Sequence, residues 1–283
     1  MATTTTAGDD GYFMASPEEM SRLENQHYII KDAMGGLLLP PIDISVGPLR
    51  ILDSATADGT WIRDLAAGAP SHHQFVGTDI DPRKFPESPP SNTKYQIADI
   101  NKPWPEEWKR GFDIVHQRLA IASGGAGAKQ AIENLAELVK PGGWIQLVEA
   151  GHTFDDAEEG TAMRHFIQLI LDLYAFMGVP EKVGDQLKPW LEGSGFVNVQ
   201  ERTIDCYMGA MNPDPDLARN GVFSMNVAVT GLVGFGQTLP PEVLFKGEDS
   251  KKILGTLVED LRAEMRATGA NYPLKVVWGQ FPA

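Results

Sequence analysis

Residues 49–61 read LRILDSATADGTW, and this stretch decides how the rest of the chain is interpreted. An apolar run from Leu49 ends at the acid Asp53, small residues and Gly59 follow, and a helix can begin at Thr60. A strand, a tight loop of small residues and a helix start together form the first turn of a βαβ unit. A nucleotide-like ligand usually lies over such a turn, at the carboxyl end of the strand.

The same alternation of strand and helix continues along the chain. Apolar runs predict strands at residues 49–53, 74–79, 95–99, 112–116, 144–149, 196–207 and 272–280. Periodicity and helix-start signals predict helices from 16 to about 34, from 60 onward, and at 128–139, 159–177, 184–193, 215–235 and 249–268. Five βα units followed by a late pair of strands indicate an α/β fold with a doubly wound sheet.

The chain divides into a tail, an N-terminal helix and one large domain. The Thr-rich N-terminus predicts a disordered tail over residues 1–15. Ser16, Pro17 and two acids are typical of a helix start, so residues 16–46 are predicted to form a helical cap. The remaining assignments are the α/β domain at 47–283 and, within it, helical lid segments at about 159–194 and 208–270.

Composition limits the classes of partner. The formal net charge of −14 over 283 residues argues against a nucleic-acid partner, because binding a phosphate backbone needs a basic face. The single cysteine, Cys206, permits no intrachain disulfide and favours a reducing compartment. The N-terminus resembles no secretory signal, and no apolar run is long enough to span a bilayer. We therefore predict a cytoplasmic small-molecule enzyme, with nuclear residence left open and no protein partner indicated.

Two common phosphate-binding motifs are absent from the opening stretch. The dinucleotide fingerprint G-x-G-x-x-G does not occur there, and no Gly-Lys-Ser/Thr follows to form a Walker loop. No spacing of His, Cys and Asp resembles a metal site, and no Ser-His-Asp arrangement has a nucleophile elbow.

Five segments, in order and at plausible intervals, resemble the motifs of class I S-adenosylmethionine (SAM) methyltransferases. They are ILDSATADG, FVGTDIDP, YQIADIN, FDIVHQR and LVKPGGW. More narrowly, the RLENQH helix, Trp61 and VKPGGWIQLVE resemble fungal secondary-metabolism methyltransferases, which include dioxopiperazine N-methyltransferases and velvet-complex regulators. The resemblance implies a Rossmann-like, seven-stranded, mostly parallel sheet whose last strand is inserted antiparallel beside the previous one. It also implies SAM as the cofactor.

The resemblance assigns cofactor roles to residues at the strand ends. Asp79 would accept from both ribose hydroxyls, with Ile80 beside it, and Asp99 would accept from the adenine amino group, although either acid could instead serve a turn. Asp53 would order the loop and favour the ammonium group of the methionine part. The other predicted cofactor contacts are Ser54, Ala55, Gly59, Thr60, Trp61, Ile100, Asn101, His116 and Gln117.

The loop departs from the family pattern at two positions. The first motif usually has an acid followed by three glycines at alternate positions, and here Ala55 and Ala57 stand where two of them are expected. If either alanine adopts a positive φ, the cost is about 1–2 kcal/mol. We expect a whole domain to tolerate that cost.

Candidate catalytic residues follow the fourth and fifth strands. His116, Glu149 and His152 are candidates for proton transfer, since a histidine of ordinary pKa suits a general base at neutral pH. His116 could instead pack beside the cofactor. His27 in the cap helix could reach over the site or be a satisfied core histidine. Methyl transfer to nitrogen or sulfur needs no base if the acceptor loses its proton to water or binds neutral, since positioning for in-line attack can supply most of the rate.

The leading hypothesis is a SAM-dependent methyltransferase that acts on N, O or S of a small, mostly apolar natural product. The altered glycine positions keep open a second hypothesis, a methyltransferase-like enzyme that catalyses a rearrangement or cyclisation without methyl transfer. A third is a regulatory methyltransferase-like partner protein.

Overall fold

A seven-stranded sheet forms the centre of the protein in a computed structural model, which describes residues 16–151, 161–246 and 248–283. The strands are β1 (Arg50–Ser54), β2 (Gln74–Asp79), β3 (Thr93–Ile97), β4 (Phe112–Arg118), β5 (Val139–Ala150), β6 (Val197–Ile204), β7 (Tyr207–Met208), β8 (Ala270–Asn271) and β9 (Leu274–Gln280). The helices are α1 (Pro17–Met34), α2 (Thr60–Ala67), α3 (Ala128–Ala136), α4 (Thr161–Met177), α5 (Val183–Gly193), α6 (Pro215–Gly236) and α7 (Ser250–Ala267).

The order of strands in the sheet is β3-β2-β1-β4-β5-β9-β6. Neighbours from β3 to β5 are parallel, and β9 is antiparallel to both β5 and β6. The predicted doubly wound sheet with an inserted antiparallel last strand is thereby confirmed. Because β1, β2, β4 and β5 are parallel, the residues that follow them meet at one edge of the sheet.

The N-terminal helix begins and ends where the sequence predicts. The Ser16 side chain accepts from the backbone N–H of Glu19 at 3.1 Å, and Pro17 occupies the first helical position. Gly35 ends the helix in the left-handed region at φ 74°.

Several predicted strand boundaries are wrong. The third strand spans Thr93–Ile97, so Asp99 lies beyond its end rather than within it. The fifth begins at Val139, because the KPGG segment is absorbed as an irregularity in its pairing with β4. The predicted strand 196–207 is divided into β6 and β7. The strand predicted at 272–280 corresponds to β9, which begins two residues later at Leu274, and the short β8 before it was not predicted. Tertiary pairing sets these ends, and local residue preferences do not.

Other interpretations also fail against burial. The polar loop that contains His72 and His73 predicts that both are solvated, but His73 is buried. Its Nδ1 accepts from the N–H of Leu49 at 3.1 Å, and its Nε2 is 2.7 Å from the carbonyl of Ile44. The spacing of apolar residues in the helix predicted at 159–177 also indicates that Phe176 and Met177 belong to a core-facing side, but they are 53% and 39% exposed. The predicted tail at 1–15 lies outside the described residues, and so does the start of the helix predicted at 159.

Apolar clusters cover both faces of the sheet. One contains Ile132 of α3, Leu191 of α5 and Leu147 of β5. A larger cluster joins α1, α4, α6 and α7 over Val148 and Val276 of the sheet. Successive residues of β5 therefore belong to different clusters, as expected for a strand buried on both faces. Within the described ranges, no helix is both long and apolar enough to cross a membrane.

Candidate active site

The loop after β1 has a glycine-like backbone at three alternate positions. Ala55, Ala57 and Gly59 have φ values of 54°, 52° and 73°, all in the left-handed region. At the two alanines this conformation costs about 1–2 kcal/mol each. The alanines therefore keep the backbone geometry of the glycines that they replace.

Two carboxylates hold this loop in place. The Thr56 hydroxyl donates to Asp53 Oδ2 at 2.6 Å, and the backbone N–H of Ala57 donates to Asp79 Oδ2 at 2.9 Å. The backbone N–H of Thr56 also donates to the carbonyl of Thr78 at 2.7 Å. The loop is thus tied to the ends of β1 and β2, which offsets the backbone cost of the alanines.

A tyrosine that we did not predict packs against the loop. Tyr95 of β3 pairs with Gly77 of β2, and a Cβ built on Gly59 would lie 2.1 Å from its hydroxyl oxygen. That hydroxyl is buried without a hydrogen-bond partner among the described residues, and burial raises its pKa to about 12. A glycine inside a strand can signal such a close approach, so Gly77 was the available clue.

Asp79 lies at the end of β2, where the ribose role was predicted. Its Oδ1 accepts from the backbone N–H of Asp81 at 3.0 Å and is 3.4 Å from Lys84 Nζ. The next residue, Ile80, is 64% exposed, so a large apolar side chain is open beside a buried carboxylate. An adenine or ribose face would cover that side chain.

Asp99 combines a turn contact with a position on a cavity. Its Oδ1 accepts from the backbone N–H of Asn101 at 2.9 Å, as the structural alternative predicts. It also lines a cavity of about 270 Å³ with Lys102 and Trp104, whose indole N–H is buried without a partner in the described parts of the chain. Ile100 is buried, and the Asn101 side chain donates to the carbonyl of Ser123 at 3.2 Å.

Asp53 and His116 form a buried pair at the ends of β1 and β4. His116 Nδ1 is 2.7 Å from Asp53 Oδ1, and the imidazole stacks on Trp61 of α2 at 3.9 Å between ring centroids. An ionised carboxylate can only accept, so Nδ1 carries the proton and Nε2 is the acceptor nitrogen. Burial lowers the pKa of His116 more than Asp53 raises it, which keeps the ring neutral at pH 7.

The remaining residues predicted around the loop also meet there. The Ser54 hydroxyl donates to Gln117 Oε1 at 3.0 Å, joining β1 to β4. The hydroxyl of Thr60 donates to Asp58 Oδ2 at 2.5 Å, at the start of α2. The Ser54–Gln117 contact and the stacking of Trp61 on His116 join the predicted cofactor residues of β1, α2 and β4 in one group.

Glu149 lies at the end of β5 and is 2% exposed. Its Oε1 accepts from the backbone N–H groups of Ala120 and Ile121, each at 2.8 Å. Its Oε2 is buried with no partner among the residues that the structure describes. Burial raises the pKa of this carboxyl to about 7, against the lowering effect of the backbone donors.

His27 lies on α1 with both ring nitrogens engaged. Its Nε2 is 2.8 Å from Asp64 Oδ2, and its Nδ1 is 3.2 Å from a guanidinium nitrogen of Arg118. Burial, followed by the charge of Arg118, lowers the pKa of His27 to about 4. This arrangement supports the alternative of a satisfied core histidine. His152, the remaining catalytic candidate, lies outside the described residues.

The residues at this edge fit the cofactor that the family resemblance implies. Asp53, Asp79 and Asp99 place carboxylates at or just beyond three strand ends, which favours a ligand with sulfonium and ammonium charges. The exposed Ile80 and the unpartnered Tyr95 hydroxyl add an apolar and a polar contact. In the described ranges, no cluster of three or more His, Cys, Asp or Glu could hold a metal ion.

Known proteins with similar sequences are fungal methyltransferases. The chain is 33% identical to the N-methyltransferase gliN of Aspergillus fumigatus over 280 residues, which cover 97% of this chain and 98% of that protein. It is 34% identical to the N-methyltransferase sirN of Leptosphaeria maculans over 268 residues, which cover 94% and 92%. No model of a known protein family matches the chain.

A solved structure shows the same fold at low identity. Haemonchus contortus phosphoethanolamine N-methyltransferase 2, in complex with SAM, matches this whole chain and 62% of its own with a TM-score of 0.56 and 11% identity. The identity to the fungal proteins extends over nearly the whole chain. The chain therefore belongs to the family of SAM-dependent methyltransferases of fungal secondary metabolism that these relatives represent.

Proposed function

We propose that the chain transfers the methyl group of SAM to a nitrogen of a small, mostly apolar natural product. The observation that carries the choice of nitrogen is the name shared by its relatives, N-methyltransferase, at 33% and 34% identity over most of both chains. A non-methylating cyclase and a regulatory partner protein are not favoured by these relatives.

The strand-end residues suggest how the cofactor is held. Asp79 would accept from the ribose hydroxyls, with Ile80 against the adenine face. Asp99 and Asn101 would contact the adenine edge, and the charge of Asp53 would favour the ammonium group. The left-handed loop from Ala55 to Gly59 would let the backbone approach the cofactor closely.

When bound, SAM would supply an activated methyl group on its sulfonium, and transfer of that group to the nitrogen of the acceptor molecule would release S-adenosylhomocysteine. The acceptor nitrogen must also lose a proton. Two groups at this edge could accept that proton: Nε2 of neutral His116 and Oε2 of Glu149, which has no hydrogen-bond partner among the described residues. The other contribution of the chain is positioning and the exclusion of water.

We propose that the helices over the strand ends enclose the acceptor. Residues 16–46 would act as the cap, and the segments at about 159–194 and 208–270 as lids. Their supporting feature is the apolar cluster that joins α1, α4, α6 and α7, with the adaptable side chains of Met208 and Met225 among its members. An apolar enclosure of this kind suits an apolar acceptor. A cytoplasmic location and the absence of a nucleic-acid partner remain predictions.

Turnover assays with matched acceptors test the proposal. Small apolar compounds bearing an N–H are compared with their O–H and S–H analogues, and release of S-adenosylhomocysteine and gain of one methyl group are followed by mass spectrometry. We expect turnover with the N–H set. Turnover of the O–H set alone would overturn the choice of nitrogen, and product formation without consumption of SAM would favour the cyclase.

A further inference from the structure

Arg118, the last residue of β4, carries a charge that the described contacts leave unbalanced. Among the described residues, an N–H of its guanidinium donates to His27 Nδ1 at 3.2 Å. In the described parts of the chain it forms no ion pair within 4.0 Å of a carboxylate. Burial lowers the pKa of this guanidinium, while the charges of Asp53 and Asp58 raise it. A partly buried guanidinium without an anionic partner is costly, which points to a missing anion.

His27, which accepts a hydrogen bond from Arg118, is a neutral imidazole. The Asp64 carboxylate, which Lys31 also contacts at 2.7 Å, accepts from His27 at 2.8 Å, so the proton of His27 is on Nε2. That tautomer leaves Nδ1 as an acceptor for an N–H of Arg118. Because the pKa of His27 is lowered to about 4, the ring orients the guanidinium but cannot neutralise it.

The guanidinium belongs to the same strand end as the cofactor residues. Gln117, the preceding residue, lies opposite Ser54 of β1 and accepts from its hydroxyl, and His116 contacts Asp53. Arg118 and His116 are two apart in β4 and so project from the same face of the sheet. Arg118 is therefore next to the end of the site that was assigned to the methionine part of the cofactor.

We propose that Arg118 binds the α-carboxylate of the methionine part of SAM, with His27 as the positioning residue that holds the guanidinium from the cap helix. The proposal rests on the cofactor orientation given under the proposed function. The methionine end presents one carboxylate and one ammonium, and Arg118 and Asp53 supply the two complementary charges from neighbouring strands. A guanidinium fork matches a carboxylate with two parallel hydrogen bonds.

Calorimetry with two ligands tests this assignment. S-adenosylhomocysteine carries the amino-acid end, whereas methylthioadenosine shares the nucleoside and the sulfur but lacks that end. We expect Arg118→Met to weaken S-adenosylhomocysteine about 10- to 100-fold, the usual range for a hydrogen bond to a charged group, and to leave methylthioadenosine within about threefold. Arg118→Lys keeps the positive charge but removes the two parallel N–H donors. It should weaken binding of S-adenosylhomocysteine by a smaller factor than Arg118→Met does, again without affecting methylthioadenosine.

Controls separate the possible failures. Arg219→Met, on the exposed surface of α6, should change neither affinity. Equal weakening of both ligands in Arg118→Met, or no weakening of either, would overturn the carboxylate role. Should Arg118→Met fail to fold, the same comparison in Arg118→Lys decides. Failure of the unmodified protein to bind S-adenosylhomocysteine would instead refute the proposed function.

Discussion

The loop after β1 and the end of β5 lie at the same edge of the sheet, yet they are built in opposite ways. The loop at residues 53–59 is held by contacts close in sequence and by the neighbouring strand, through Asp53 and Asp79. Glu149 Oε1 is held by backbone N–H groups of Ala120 and Ile121, just after the end of β4, and its Oε2 has no partner among the described residues. In the loop, backbone strain is balanced by hydrogen bonds. At the end of β5, a desolvated charge is only partly balanced.

Gly59→Ala should have the largest effect on the loop. It adds a Cβ 2.1 Å from the Tyr95 hydroxyl and imposes φ 73° on an alanine, so we expect a loss of about 4 kcal/mol in unfolding free energy. Gly142→Ala is the matched control, since it has φ 78° but nothing within 4 Å of its added Cβ. It should cost only about 1–2 kcal/mol in denaturant unfolding. Equal losses would mean that Tyr95 does not constrain the loop.

Glu149→Gln tests the unbalanced charge at the end of β5. The folded protein keeps the carboxyl protonated up to its raised pKa of about 7, whereas the unfolded chain releases that proton near its ordinary pKa of 4.5. The unfolded state thus binds fewer protons between these values, and stability falls as pH rises through that window. Between pH 4.5 and pH 8, the unfolding free energy of the unmodified protein should therefore fall by about 3 kcal/mol relative to that of the Glu149→Gln variant.

Urea unfolding at several pH values measures this difference. Other titrating groups act on both proteins, so the gap between the two curves isolates Glu149. Glu192→Gln, an exposed glutamate of α5, serves as the control and should track the unmodified protein. Parallel curves for Glu149→Gln and the unmodified protein would show that burial does not raise this pKa.

The variants Asp79→Asn and Asp81→Asn compare two acids of the same turn. Loss of a charged acceptor for the ribose hydroxyls should weaken S-adenosylhomocysteine about 100-fold, which corresponds to about 2.7 kcal/mol. Asp81→Asn removes the acid that caps the following turn and pairs with Arg83, and it should change the affinity less than about threefold. Calorimetry on the two variants decides. The ribose role is refuted if Asp81→Asn weakens binding as much as Asp79→Asn.

Ala55→Gly and Ala57→Gly should have the smallest effects. Each relieves a left-handed alanine but adds freedom to the unfolded chain, so the net gain in stability should stay under about 1 kcal/mol. Ala263→Gly, at an exposed position of the helix α7, should instead cost about 1 kcal/mol. Thermal unfolding would show the opposite signs. Destabilisation by Ala55→Gly or Ala57→Gly would mean that the alanine methyl groups pack usefully in the loop.

The sequence located the strand ends that carry the predicted cofactor residues, because the signals for those strand ends are local. The strand-end acids Asp53 and Asp79 follow apolar runs directly, and parallel strands bring such ends together. Tyr95 was missed because its role depends on the space left by Gly59 and Gly77, which are distant in the chain. The opposite error occurred at His73, which was assigned to a solvated loop and is buried.

By itself, the sequence determined the order of strands and helices, the start of α1, the position of the loop and the family, since these follow from hydrophobic periodicity, capping residues and short motifs. Only the tertiary structure decided that Ala55 and Ala57 adopt a glycine-like backbone, that one oxygen of Glu149 has no partner among the described residues, and that His27 contacts Arg118. Backbone strain, desolvation and the choice of a histidine tautomer depend on neighbours from distant parts of the chain, and spacing along the sequence does not encode them.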